Sequence, residues 1–172
     1  MKSNEDESVS VILSTSKNEY GINYQDHLIE QYKLYVEMAD KISERRANAN
    51  SFFLTVITAL ISIIGLISGF GTQTVNVFNF WIIVVPIVGL ILCYSWYRII
   101  ESYRKLNSGK FKVIHEIERK LPLALYHGEW IMLGQGNNSQ LYRPLTHVEK
   151  WVPMMFALLL VAILIVGIIY LF

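Results

Sequence analysis

The chain has a single cysteine, Cys93, which excludes a disulfide framework within one chain and leaves the redox compartment open. It has no glycine-rich phosphate loop, no HExxH, no CxxC and no serine elbow, and its four histidines, His27, His115, His127 and His147, lie on different segments. These absences point away from an enzyme and from any bound cofactor or metal. Basic residues are missing from long stretches. All 15 lysines and arginines lie before Phe52 or between Arg98 and Lys150. The formal net charge is only +1, so nothing drives the whole chain toward nucleic acid, and no direct sequence-specific nucleic-acid binding is expected.

What fills the uncharged stretches is apolar. Hydrophobic residues make up 53% of the 172, and the runs 52–70, 78–97 and 151–172 are each long enough to span a bilayer core of roughly 30 Å as helices. The expected class is therefore an all-α integral membrane protein with three transmembrane helices and a helical cytoplasmic region. The first run follows some 50 residues, many of them charged, with no small-residue cleavage site behind it, and is expected to stay in the mature protein. The segregation of lysine and arginine puts the N-terminus and the region 98–150 in the cytoplasm and the C-terminus outside.

Residues 1–22, rich in Ser, Asn and acid, read as a mobile cytoplasmic tail. Asn23 is placed to cap a helix, with Asp26 in its first turn. Leu28, Tyr32, Tyr35, Ala39 and Ile42 then step by four and three on a cytoplasmic helix over 23–51, giving a packing seam from Leu28 to Ile42 that is available for contacts between subunits. The opposite face carries Glu30, Lys33, Glu37, Lys41 and Glu44, a solvated face supported by ion pairs four residues apart. No breaker occurs before Gly65, so one rod is predicted from Tyr24 to Gly69. The second run is expected to bend at Pro86 and to continue past the membrane until Asn107, Ser108 and Gly109 stop it. A separate short helix is predicted over "KFKVIHEIERKLP", stopped by Pro122. "LGQGNNSQLY" reads as loop, and "THVE" as a capping box, Thr146 with Glu149, that launches the last helix.

The most distinctive pattern lies on the first span. Asn48, Ser51, Thr55, Thr58, Ser62, Gly65 and Gly69 step by three and four, forming one stripe of small or polar side chains. Two explanations compete. Small residues allow close helix packing in lipid, and Ser or Thr can bond to their own backbone or across helices. A water-filled lumen would instead tolerate such groups without protein partners, making the stripe pore-lining. Arg45 and Arg46 stand at the cytoplasmic mouth, suited to lipid phosphate or, in a ring, to a charged vestibule. Gly89 and Cys93 form a packing notch, whereas the third span, with Ala157, Ala162 and Gly167 among large aliphatics, reads as lipid-facing. His115 with Glu116 or Glu118, and His127 with Glu129, read as structural polar residues. Arg143 and His147, in "RPLTH", are similar to the paired arginine and histidine of HEPN-type ribonucleases, but three residues intervene here where that pattern has four to six. A capping role beside Thr146 fits the spacing better. Three spans cannot enclose a pore within one subunit, so transport requires oligomerisation.

The segments "HLIEQYKLYVEMADKISERRANANSFF", "WYRIIESYRKLNSGKFKVIHEIERKLP", "YHGEW" and "LTHVEKWVP" together resemble the RipA-like family of small bacterial inner-membrane proteins, described as octameric. That family resembles the accessory membrane protein of type VI-B CRISPR loci, an octameric pore that strengthens defence by an RNA-guided RNA nuclease. The layout is also similar to that of the SLATT effectors. The resemblance implies a homo-octameric inner-membrane pore, assembled as a ring, that depolarises the membrane as an antiphage effector. It also implies a functional partnership with an RNA-guided RNA nuclease complex. Alternatives are a non-conducting scaffold or stress-adaptation protein, and a membrane-tethered HEPN-like ribonuclease using Arg143 and His147.

Overall fold

A computed structural model describes residues 15–69, 75–142 and 145–171. The described residues form helices and turns, with no strand among them: α1 (Lys17–Tyr20), α2 (Tyr24–Gly69), α3 (Val75–Glu118), α4 (Leu125–Met132), a 3₁₀ turn (Gly134–Gly136), α5 (Leu145–Glu149) and α6 (Trp151–Leu171). Three of these helices, α2, α3 and α6, are long and apolar enough to cross a membrane. The described residues divide into two compact units, one within 1–43 and 105–143, the other within 44–104 and 144–172.

In the first unit the seam of α2 is spent inside the chain. Ala39 and Ile42 are buried, Tyr32 donates to Glu118 at 3.0 Å, and the Lys110 ammonium lies 4.2 Å from the centre of the Tyr35 ring. The expectation that this seam serves contacts between subunits is therefore corrected. Local order also begins earlier than Asn23. The Glu19 carboxylate accepts the Ser16 N–H at 3.1 Å and the Ser16 hydroxyl at 2.9 Å, closing the single turn of α1. The Tyr20 hydroxyl then meets His27 Nδ1 at 2.8 Å. Residues 1–14 lie outside the described residues.

The predicted stop at Asn107, Ser108 and Gly109 does not occur, because α3 runs through it to Glu118. The half-buried and buried positions Ile100, Tyr103, Asn107, Phe111, Ile114 and Glu118 stay in helical phase across the three residues. Burying a continuous face outweighs an interior glycine's cost of about 1 kcal/mol. The short helix expected over 110–121 is thus the end of α3.

In the second unit three helices share one apolar core of Phe53, Ile57, Cys93, Trp96, Ile100 and Leu160. Phe53 and Trp96 stack with ring centres 5.9 Å apart. The third span is not simply lipid-facing. Leu160 of α6 is fully buried, and a Cβ at Gly89 would sit 2.8 Å from its Cδ1, so the glycine is the socket for that leucine. Pro86 has no N–H to give the carbonyl of Ile82 one turn earlier. Gly167 of α6 approaches that same carbonyl, where a Cβ would lie 3.4 Å from the oxygen. Neither glycine tolerates a side chain without displacing a packed neighbour.

Candidate functional site

The apolar face of the first span points into the second unit and the polar stripe points out of it. Phe53 and Ile57 are buried, whereas Asn48, Ser51, Thr55, Thr58, Ser62 and Gly65 are all exposed. At 100° per residue the stripe centres about 150° around the helix from that buried face. Nothing lies within 4 Å of a Cβ built on Gly65, and Gly69 is the last residue of α2. The stripe is therefore not a contact between helices of one subunit. It is the surface the span offers to whatever surrounds the subunit.

Three of its hydroxyls are already satisfied. Thr55 donates to the Ser51 carbonyl at 2.9 Å, Thr58 to the Leu54 carbonyl at 2.7 Å and Ser62 to the Thr58 carbonyl at 2.9 Å. Asn50, the other amide at this end of the span, has a different role. It lies off the stripe, on the buried side, where its Oδ1 accepts the Trp96 indole N–H at 2.8 Å. That bond meets the hydrogen-bonding need of a buried tryptophan and locks α2 to α3.

The two arginines at the head of the span part company. Arg45 is exposed. Arg46, only 14% exposed at its side chain, pairs with Glu149 at 2.5 Å, so it is not free for lipid phosphate or a vestibule. The adjacent Lys150 pairs with Glu101 of α3, which also holds Arg104 at 2.6 Å. Hydrogen bonds from Lys150 and then Arg104 hold the Glu101 carboxyl down to about 2. The capping-box reading of "THVE" is corrected accordingly. Thr146 is the second residue of α5, inside the helix where a cap would precede it, and Glu149 reaches Arg46.

In the first unit the organising group is Glu118, which sequence reasoning passed over as one histidine neighbour among several. It is 1% exposed and accepts three hydrogen bonds, from the Tyr32 hydroxyl at 3.0 Å and the N–H groups of Tyr126 at 2.9 Å and His127 at 3.0 Å. The last two open α4, so one carboxylate ends α3, starts α4 and ties both to α2. Burial, then the bond to Glu118, pushes the Tyr32 hydroxyl up to about 12. The rings of His115 and His127 meet edge to face with centres 5.2 Å apart. Burial and then the His127 charge lower the His115 pKa, with Glu118 and Glu116 pulling the other way. Among the described residues no group of three or more metal-ligating side chains comes together. The Arg143–His147 pair cannot be placed: Arg143 and the His147 side chain lie outside the described residues.

Residues 29–170 match the model of a family described as the octameric membrane protein family (8xMP). No curated protein and no solved structure matches the chain.

Proposed function

The chain belongs to the octameric membrane protein family, and from that premise we propose that eight copies form a ring whose lumen conducts ions, lined by Asn48, Ser51, Thr55, Thr58, Ser62, Gly65 and Gly69. The observation that carries this reading is the outward exposure of the whole described stripe, on a span whose apolar face is already used within the subunit. Arg45, exposed one turn before Asn48, supplies positive charge at the mouth. The ring sits in the bacterial inner membrane with its N-terminus in the cytoplasm, a placement supported by the segregation of lysine and arginine. Its role is antiphage depolarisation alongside an RNA-guided RNA nuclease, supported by the resemblance of the quoted segments to the RipA-like family. It acts without catalysis, binds no nucleic acid by sequence and needs no cofactor.

A non-conducting scaffold is the second reading, favoured by one observation. Hydroxyls bonded to their own backbone need no water and suit a tight contact between neighbouring subunits. Thr58→Leu and Ser62→Leu separate the two. In a lumen an apolar collar disfavours water, so ion flux from liposomes falls several-fold while particle mass in detergent stays that of the octamer. Ala162→Leu, on an exposed face of α6, leaves both unchanged. Broken rings for Thr58→Leu, or intact rings with unchanged flux, would overturn the lumen.

A further inference from the structure

Helix α4 is apolar on nearly every side, yet none of its residues is buried in the single chain. A helix of that composition is normally covered all round. Tyr126 and His127 turn inward to Phe111 and His115. The opposite face, Leu125, Glu129 and Met132 at spacing four and three, is exposed, Met132 to 82%. No lysine or arginine occurs between Lys120 and Arg143. Helices that lie on bilayer surfaces carry a basic face for anionic headgroups, and here the one charge on the exposed face is the acid Glu129. Lipid is therefore a poor match for it.

The same unit carries a second uncovered face of the same spacing. Leu34, Met38 and Lys41 lie together on α2, flanking the buried seam, with Leu34 59% exposed. Among the described residues Lys41 is paired with its exposed helix neighbour Glu37, at 2.7 Å. A closed ring built head to tail needs two different and complementary faces on every copy. One face here offers two large apolar side chains around an acid; the other offers two beside a base. We propose that Leu125, Glu129 and Met132 of one copy seat on Leu34, Met38 and Lys41 of the next, with Glu129 meeting Lys41. The inference rests on the family's octameric assembly and is independent of whether the lumen conducts.

The test uses full-length protein in membranes in a Cys93→Ser background. Chains carrying only Leu34→Cys are co-expressed with chains carrying only Met132→Cys and oxidised. A covalent dimer is expected from the mixture and none from either chain alone, and chains carrying both substitutions are expected to give a ladder ending at eight. Glu129→Lys and Lys41→Glu should each lower the octamer fraction several-fold with helical content retained, and the double swap should restore it. An octameric wild type with no mixed dimer, and octamer fractions unmoved by the charge changes, overturns this contact and leaves the ring standing. A wild type that is monomeric in nanodiscs removes the ring and this contact with it. A nitroxide at Met132 that collides with lipid-dissolved oxygen overturns the proposal by showing that the bilayer covers the face.

Discussion

A single buried carboxylate joins the helix ends of the first unit. Glu118 accepts two backbone N–H groups and one hydroxyl, so Glu118→Ala leaves three part-buried donors unpaired, at a cost of up to about 1–3 kcal/mol for each group. Amide exchange at Tyr126 and His127 should accelerate at least tenfold in that variant. His115 beside it has a lowered pKa, so the folded state favours its neutral ring. The stability tied to that preference is present above the ordinary value of 6.5 and drains away as pH falls below it. For Glu101, lowered to about 2, the stabilisation is present above 4.5 and is lost only as pH falls toward 2. Acidification therefore reaches the His115 region first. Protection of the Tyr126 and His127 amides, corrected for intrinsic exchange, should fall between pH 7 and pH 5.5, and His115→Gln should flatten that fall. Protection that stays level in the parent would remove the His115 argument.

At the scale of elements, the continuity of α3 makes its own prediction. Gly109 is helical and a Cβ there meets nothing within 4 Å, so Gly109→Ala should raise stability by about 1 kcal/mol or less, read as a higher melting temperature in mild detergent. A lower one would mean that the chain turns at Gly109, as its local sequence suggests. That contrast shows what was legible. Tyr24–Gly69 could be read directly, since its charges and apolar steps agree, and the Gly89–Cys93 notch could be read from residue size. The passage of α3 through Asn107–Gly109 was not legible, because local breakers lost to a packing phase that shows only once both flanks are aligned. Nor was the identity of Asn50 as Trp96's partner, which depends on the phase of two helices. The outward direction of the Asn48–Gly65 stripe was hidden for the same reason: three-and-four spacing defines a face but not what it faces.

On the scale of the whole molecule, topology is the first thing to measure. With every lysine and arginine in the two segments assigned to the cytoplasm, single cysteines at Ser3 and Asn137 in a Cys93→Ser background should resist impermeant thiol reagents in intact cells, and one at Phe172 should react. Labelling at Asn137 from outside would reverse the orientation. Within the second unit, two neighbouring residues act as pins. Glu149 is held by Arg46 of α2 and Lys150 by Glu101 of α3, and their Cα atoms are one peptide, about 3.8 Å, apart. Within this unit α2 cannot slide by a turn past α3 without drawing out a pin, and the pins sit where α6 begins. Rotation of whole subunits against each other strains neither pin. In the proposed ring, a change of bore that keeps both pins comes from subunits turning against one another, and Glu149→Gln or Lys150→Met would loosen the pins.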